Sequence, residues 1–519
     1  MTIHQIVSPT WGTRSVGHRG PTRGGRPRLL LTRPDWSTTV TSAPPLAAPG
    51  PVLTPTLPAT PTPFAPNRDG LPTGPVENAA AALPWADWSS LQWAGFLLLA
   101  VLVALVLLVS IRRIVHRLHL VREQEELGHR DLDGPVLPPA HVFTALVPAR
   151  GPAGLAVTLD LLARQQHPDV RVLVAVDPVD TLTLDVATSA ARRHPGRVRV
   201  VRAGSSAGRP SAVAASLDDA LAEVGDGVVG IFAAGDRPHP RLFALVDSVL
   251  TRTDADAVQH ASRPALEAAP WWAPRTALDR WWWSRSVVRS HGRAGFVPLS
   301  DGTLFVRHSW LAWSGGWDAS CAEAGLDLGV RMTVAGARVV IATSPETTTV
   351  ERSPGGLRDL ARARSSWVRG CLQVLGHGDW RRLRPGARRR ALGVLTEPLL
   401  DAGVTIVTAA ALVSTVLVGA PGLVIALAAV PVLPWLLSQL LDVGGATEAA
   451  AEQGRRATGR ERLLVVVGSV PDRLVTLVAV AAAVGAELAT VRSRIEGPSA
   501  SSDPIRAGRP VGVDEPATG

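Results

Sequence analysis

Hydrophobic residues are arranged differently in three parts of the chain. Residues 93–111 are apolar and uncharged over 19 positions, which is long enough for a helix to cross a bilayer. Residues 142–350 alternate short Val, Ile and Leu runs, such as VRVLVAV, with stretches of helical periodicity. That alternation is typical of βαβ units around a mainly parallel sheet. Residues 402–441 are apolar again, with a break at Ala420 and Pro421, which predicts a transmembrane hairpin.

A last apolar region, residues 464–490, is interrupted by the run Pro471, Asp472 and Arg473. Two interpretations stay open for it: one membrane crossing, or a segment that lies partly in the bilayer interface. The predicted organisation is a disordered Pro/Thr/Arg-rich segment at 1–92, a transmembrane helix at 93–111, a domain with interfacial helices at 112–390, a C-terminal transmembrane region at 391–492 and a disordered tail at 493–519.

Charges beside the first apolar segment predict its orientation. Arg112, Arg113, Arg117 and Arg122 follow it, whereas the twenty residues before it contain no arginine. Because positive charge is enriched on the cytoplasmic side of membrane helices, we expect residues 112–390 to lie in the cytoplasm. The protein is thus predicted to be a multi-pass membrane protein.

The composition narrows the possible partners. The 53 basic residues are all arginine, and they give a net charge of +9. Most of them are scattered, whereas a nucleic-acid-binding surface needs arginines grouped on one face with aromatic residues between them, so nucleic acid is not an expected partner. The two cysteines, Cys321 and Cys371, are too few for a disulfide framework or a cysteine-based metal site.

Five segments between residues 142 and 376 resemble, in order and spacing, the motifs of family-two glycosyltransferases. They are ALVPARGPAGLAVTLDLLARQQHPDVRVLVAVDPVD (145–180), GRPSAVAASLDDAL (208–221), VVGIFAAGDRPHPRLFALV (228–246), GFVPLSDGTLFVRHSWLAWSGGWDASCAEAGLDLGVRM (295–332) and LARARSSWVRGCLQVL (360–375). The pair GGWD and DLGVRM is the most specific element. Their position between predicted membrane helices is similar to the cellulose- and hyaluronan-synthase-like branch of the family.

This resemblance implies an α/β fold, a Rossmann-like GT-A glycosyltransferase domain inserted between transmembrane helices. It also implies a nucleotide-diphospho-sugar donor, a lipid-linked or polysaccharide acceptor, and inversion at the transferred sugar carbon. In such sites Mg²⁺ or Mn²⁺, held by carboxylates at a strand end, neutralises the diphosphate, since hard cations prefer oxygen ligands. A second carboxylate removes the proton from the acceptor hydroxyl.

Three residues correspond to the family's donor-binding positions. Asp177 matches the carboxylate that contacts the nucleobase and ribose, although Asp is also common in turns, and nearby Asp180 is interpreted as a turn residue only. Arg209 stands where the family often has a lysine aimed at the diphosphate; a plain surface arginine is the alternative. Asp236 closes AAGD, matches the last Asp of the metal motif and is the candidate metal ligand.

The sequence departs from the family at positions that carry the chemistry. The other acidic positions of the metal motif are Ala233 and either Ala234 or Gly235, so one carboxylate remains to hold the metal. The position of the catalytic base falls on Ala324 or Gly325, neither of which is acidic. Glu323 is therefore the candidate base.

Other residues are assigned from the segments at 295–332 and 360–375. We expect Asp327 to pair with Arg331 within the helix that begins there. Gly316, Trp317, Arg364 and Trp367 correspond to the acceptor side of the family's site. Trp367 would stack on the acceptor sugar, and the alternative is a tryptophan that anchors a helix at the membrane interface. For the two glycines of the GGWD motif, the alternative is a simple turn.

Two functional hypotheses follow. The first is an integral membrane glycosyltransferase that acts in cell-envelope polysaccharide biosynthesis. The second is a relative that has kept the fold and the membrane helices but has lost catalysis, and that acts as a scaffold or partner of another cell-envelope enzyme. The missing acidic residues near Ala233 and Gly325 are the reason to keep the second hypothesis.

Overall fold

A computed structural model describes residues 88–126, 135–204, 211–265, 270–284, 295–300, 302–342 and 344–496. Most of the predicted disordered segment at 1–92 and of the predicted tail at 493–519 lies outside these residues. The candidate diphosphate contact Arg209 lies outside them as well.

The described residues form nine strands and a series of helices. The strands are β1 (Phe143–Ala149), β2 (Val170–Val176), β3 (Val198–Arg202), β4 (Val228–Ile231), β5 (Ala257–His260), β6 (Ser262–Pro264), β7 (Leu304–Arg307), β8 (Val339–Ala342) and β9 (Thr349–Glu351). The helices of the α/β part are α2 (Leu155–Ala163), α3 (Thr181–Arg193), α4 (Ala212–Leu221), α5 (Leu242–Thr253), α6 (Ala273–Trp282), α7 (His308–Ser314), α8 (Ala324–Ala335) and α9 (Leu357–His377).

The main sheet has seven strands in the order β3-β2-β1-β4-β7-β5-β8. Strands β1 to β4 run in parallel, and β7 is antiparallel to both of its neighbours. The chain runs outward from β1 to β3 and then returns to the other side of β1 as β4, so the strand order reverses beside β1. In open α/β sheets ligands bind outside the carboxyl ends of the strands at such a reversal.

The sheet has a hydrophobic core on each of its faces, as expected for parallel strands covered by helices. All seven residues of β1 are buried. One core contains Phe143, Phe243 and Phe305, and the other is built around Leu146 and Trp317. Residues of β1 contribute to both cores, which fixes the strand in the middle of the domain and thereby the position of its carboxyl end.

Apolar helices flank the α/β domain on both sides along the chain. They are α1 (Ser90–Glu126), α10 (Pro385–Leu417), α11 (Gly422–Ala429), α12 (Val432–Glu452), α13 (Gly459–Val467) and α14 (Ser469–Glu496). Among the described residues, four segments are long and apolar enough to span a membrane: Ser90–Val115, Pro385–Leu417, Gly422–Glu452 and Ser469–Ser493. Their leucines and valines are largely exposed, as in Leu98, Leu105 and Leu440, which suggests association with a membrane.

The predicted interruption at Pro471 does not break a helix. Helix α14 begins at Ser469 and continues through Pro471, Asp472 and Arg473. The proline is tolerated because it lies in the first turn, where backbone N–H groups lack a partner within the helix. The break lies instead at Gly468, between α13 and α14.

Pairs of arginine and aspartate join the α/β domain to the apolar helices and join those helices to one another. Arg275 of α6 lies 2.6 Å from Asp442 of α12. Arg364 of α9 pairs with Asp472 of α14, and Arg113 of α1 lies 2.5 Å from Asp401 of α10. We call these six residues the junction. A charge withdrawn from water requires such a partner, because an unpaired one carries a large desolvation penalty.

Candidate functional site

Two of the sequence-predicted residues lie at the carboxyl ends of strands on either side of β1. Asp177 directly follows β2, and its Oδ1 accepts a hydrogen bond from the backbone of Val179 at 3.0 Å. Asp236 lies in the loop that follows β4. Both β2 and β4 pair in parallel with β1, so the fold brings these two carboxylates to one edge of the sheet. We call the residues after β1, β2 and β4 the carboxyl edge.

Helix α2 holds the loop after β4 in place. The buried Thr158 hydroxyl donates to the carbonyl oxygen of Asp236 at 2.8 Å and accepts from the N–H of Gly235 at 2.9 Å. Gly154, with φ of 81°, lies so close that a Cβ on it would come within 2.7 Å of the Cα of Gly235. Glycine is needed at both positions because the two backbones touch and both have positive φ.

The Asp236 side chain turns inward from this loop. It is 4% exposed, and its Oδ2 accepts the N–H of Ala233 at 2.7 Å. Burial, with a further contribution from the neighbouring Glu351, raises the pKa of Asp236 to about 7. Ala233, at the first acidic position of the family's metal motif, is exposed and offers no oxygen ligand from its side chain.

This donor set does not fit a hard divalent cation. Mg²⁺ bound to a nucleotide keeps phosphate and water oxygens and needs only one or two protein carboxylates, but the single carboxylate here is buried and accepts a backbone N–H. Among the described residues, no group of three or more His, Cys, Asp or Glu side chains is placed to hold a metal ion. The expected role of Asp236 as a metal ligand stays a prediction that this geometry does not favour.

Two charged residues near Asp236 were missed in the sequence. Glu351, at the end of β9, acts electrostatically on Asp236 and lies 3.6 Å from Arg280 of α6. Arg280 in turn acts on Asp236. The sequence carried no signal for either residue, because β9 lies more than a hundred positions after β4 and reaches it only through tertiary pairing.

The GGWD segment is fixed by contacts to α4 and α8. The N–H of Trp317 donates to Asp218 of α4 at 2.8 Å, and a Cβ on Gly316 would come within 2.4 Å of the same carboxylate. Arg331 pairs with Asp327 at 2.7 Å, which confirms that expectation, and it also donates to the carbonyl of Gly316 at 3.1 Å. The Trp317 side chain is buried in the core, so its ring does not face solvent.

Glu323, the candidate base, lies immediately before α8, where its carbonyl accepts the N–H of Leu326 at 3.1 Å. Its side-chain stem packs against Gly370 of α9: a Cβ on that glycine would come within 2.4 Å of the Cβ of Glu323. The side chain is half-buried, and it is close enough to Cys371 to act on that thiol electrostatically. The contacts therefore place Glu323 against α9, whereas Asp236 lies at the carboxyl edge.

The two remaining acceptor candidates lie on α9. Arg364 is part of the junction, where it also donates to the carbonyl of Asp472 at 2.9 Å and lies 3.4 Å from Asp279. These contacts account for Arg364 without an acceptor, and its role on the acceptor side stays a prediction. Trp367 is half-buried and meets Trp283 edge to face, with ring centroids 5.1 Å apart.

Residues 138–370, which include the whole main sheet, match the sequence model of a family described as "Glycosyltransferase like family 2". The match covers less than half of the chain, and this part is similar to family-2-like glycosyltransferase domains. Its mixed sheet with parallel strands at the centre is the GT-A arrangement, so the predicted fold class is confirmed. The family match does not specify the cellulose- and hyaluronan-synthase-like branch.

Solved structures similar to this chain include other glycosyltransferases. The mannosyltransferase PcManGT from Pyrobaculum calidifontis, in complex with GDP-Man and Mn²⁺, is 18% identical with a TM-score of 0.51, over 74% of this chain and 99% of that one. S. aureus TarS with UDP-GlcNAc is 12% identical with a TM-score of 0.33, over 52% and 83%. Glucosyl-3-phosphoglycerate synthase from Mycobacterium tuberculosis, with Mn²⁺ and UDP, is 17% identical with a TM-score of 0.33, over 46% and 81%.

At identities of 12% to 18%, the similarity of this chain to these solved structures shows the fold alone. No curated protein matches the chain. Some of these structures were crystallised with Mn²⁺ or Mg²⁺ and with nucleotides or nucleotide sugars.

Proposed function

We propose that this protein is an inner-membrane glycosyltransferase that transfers a sugar from a nucleotide-diphospho-sugar to a lipid-linked or polysaccharide acceptor with inversion. The observation that supports it best is the position of Asp177 and Asp236 after the two strands that flank β1. This is the strand-order reversal of a family-2-like domain. A nucleotide sugar at this edge would lie where ligands of open α/β sheets bind. The similar PcManGT, which binds GDP-Man, supports the donor class.

The apolar helices support a membrane acceptor. Two of them carry arginines on the side of the domain. Arg112 and Arg113 directly follow the apolar run of α1, and Arg388 to Arg390 lie near the start of α10. This distribution favours a cytoplasmic domain, where soluble nucleotide sugars are available. The acceptor would approach from the bilayer, along α9 and the GGWD segment.

In the proposed reaction the acceptor hydroxyl attacks the anomeric carbon of the sugar, and the bond to the nucleoside diphosphate breaks. The Glu323 carboxylate would take the proton of the hydroxyl as a general base. The backbone around Gly316, fixed by Asp218 and Arg331, would position the acceptor. Trp367 would provide an aromatic face beside it.

Turnover tests the proposal directly. The full chain, purified in detergent, should release UDP or GDP from a panel of UDP- and GDP-sugars when bacterial lipid extract is added as acceptor. In Glu323→Gln, release should fall by about a hundredfold or more, because general-base catalysis contributes about 10²–10⁴, while nucleotide affinity should not change. Release at the wild-type rate by this variant would remove Glu323 from the mechanism.

A catalytically inactive scaffold is the second candidate function. It is favoured by Ala324 and Gly325 at the family's base position and by the packing of Glu323 against Gly370. In this case the protein would bind UDP or GDP, or neither, and would release no nucleotide from any sugar of the panel. Binding without release would therefore favour the scaffold over the enzyme.

A further inference from the structure

The loop after β4 and the strand β9 are joined by an isolated antiparallel bridge. Arg237 donates its N–H to the carbonyl of Val350 at 2.8 Å, and Val350 returns a hydrogen bond at 3.2 Å. In antiparallel pairing the residue before Arg237 faces the residue after Val350. Asp236 therefore lies opposite Glu351, and Gly235 lies opposite the next residue, Arg352.

This register brings a guanidinium group to the carboxyl edge. A Cβ on Gly235 would come within 2.9 Å of the Cβ and 3.2 Å of the Cδ of Arg352, so the stem of Arg352 crosses the loop at its glycine. The residue is exposed. Only a glycine at position 235 leaves room for the Arg352 stem, so this contact depends on the residue at that position of the loop.

The charges in this cluster favour an anion over a cation. Asp236 is buried and accepts a backbone N–H, and Glu351 pairs with Arg280. Two further arginines, Arg237 and Arg352, directly follow the two carboxylates and are exposed. Arg280 is the arginine that acts on Asp236, and the exposed Arg352 lies with its stem against Gly235 of the same loop, at the place where the family resemblance puts carboxylates for a metal ion.

We propose that Arg352 supplies positive charge that binds the donor diphosphate, in place of a divalent cation. A guanidinium group is always charged and matches two phosphate oxygens with two parallel N–H bonds. The inference rests on the proposed function, since it needs a nucleoside diphosphate at the carboxyl edge, and it accounts for Ala233 and Ala234 at positions where the metal motif has acids.

Calorimetric titration of the full chain in detergent with UDP and with GDP, once with excess EDTA and once with excess MnCl₂, tests the proposal. We expect equal affinity in both buffers for the nucleotide that binds. Arg352→Ala should lower that affinity in EDTA by about tenfold or more, the effect of losing one charge-assisted hydrogen bond. The matched control is Arg192→Ala, an exposed arginine in the last turn of α3, at the opposite edge of the sheet, which should bind as the wild type does.

The possible results separate this inference from the proposed function. Binding only with MnCl₂ would overturn the proposed binding of the diphosphate by Arg352 but would leave the proposed glycosyltransferase function intact. Wild-type affinity of Arg352→Ala in EDTA would likewise overturn it. No binding of either nucleotide in either buffer would contradict the proposed function itself, and the inference with it. Thermal unfolding of each variant shows whether a loss of affinity comes from a loss of folding.

Discussion

The carboxyl edge and the junction use the same residue types in opposite ways. In the junction each arginine meets an aspartate of another helix at short distance, as Arg275 meets Asp442 and Arg113 meets Asp401. At the carboxyl edge two carboxylates, Asp236 and Glu351, lie near one another, and the neighbouring Arg352 is exposed. The junction satisfies its charges internally, whereas the edge leaves positive charge directed to solvent.

This difference shows how to interpret an arginine in a chain that has no lysine. Arginine alone carries no functional information here, because it supplies every basic side chain. What matters is whether the fold gives it a carboxylate partner. A paired, half-buried arginine stabilises the packing of helices, and an exposed one beside a tight loop is available to an anionic ligand.

The largest expected effect is at the junction. Arg364→Ala should lower the free energy of unfolding by about 3 kcal/mol, the usual cost of leaving a buried partner charge unpaired. The reason is that Asp472, whose side chain is 15% exposed, loses its cation, whereas Asp279 still lies 3.5 Å from Arg275. Thermal unfolding in detergent measures it. Nucleotide affinity of the folded fraction should not change.

The control for this change is Arg362→Ala on the same helix, where the exposed arginine pairs with the exposed Asp359. It should cost no more than about 0.5 kcal/mol. If Arg364→Ala were as stable as this control and instead raised the KM for the acceptor, Arg364 would belong to the acceptor site, as its sequence position predicts, and the contrast between the two regions would fail.

A smaller effect is expected from the buried carboxyl group of the edge. The pKa of Asp236 is about 7 in the folded protein against an ordinary value of 3.8, so the folded state binds more protons between these values and its stability falls as pH rises. From pH 5 to pH 8 this group should cost about 2.6 kcal/mol. Asp236→Asn removes the ionisation and should lose correspondingly less stability over the same interval.

Melting temperatures of both proteins at pH 5 and pH 8 measure this difference. Asp185→Asn, which changes an exposed aspartate of α3, controls for the loss of one negative charge and should follow the wild type. Identical pH dependence of wild type and Asp236→Asn would mean that the carboxyl group is accessible to water, and so also available to a cation.

The smallest expected effect comes from adding a carboxylate to the loop after β4. Ala233→Asp adds a carboxylate at an exposed position of the loop, where a metal ion could use it together with phosphate oxygens. We expect UDP or GDP to bind this variant up to about tenfold more tightly with MnCl₂ than with EDTA, a change of about 1.4 kcal/mol.

Ala222→Asp, at the exposed end of α4 away from the carboxyl edge, should gain no such dependence on manganese. Equal binding of Ala233→Asp in the two buffers would show that position 233 does not face the diphosphate.

Much of the site follows from local sequence. Asp177 directly follows β2, and Asp236 lies five residues after β4, so the alternation of strands and helices was enough to place both at one edge. Asp180 caps α3 by accepting the N–H of Thr183 at 3.1 Å, in line with its interpretation as a turn residue. The pair Asp327 and Arg331 follows from their spacing on one helix face.

Other parts could not be predicted from local sequence. The approach of Glu351 and Arg352 to the Asp236 loop depends on one bridge between distant segments. The pairing of Arg364 with Asp472 depends on how α14 packs against α9. Neither contact leaves a periodic or motif signal, because the partners belong to elements whose relative position is set by burial of their apolar faces.

The sequence by itself determined the α/β domain, its resemblance to family-two glycosyltransferases and the apolar segments around it, because these follow from hydrophobic periodicity and from motifs with fixed spacing. It also placed the candidate residues on particular strands and helices. Only the tertiary structure decided which charges meet: it turned Asp236 inward, set Arg352 across Gly235 and gave Arg364 an aspartate of another helix. The reason is physical, since the energy of a charge depends on the partners and the water around it, and both are fixed only when distant segments pack together.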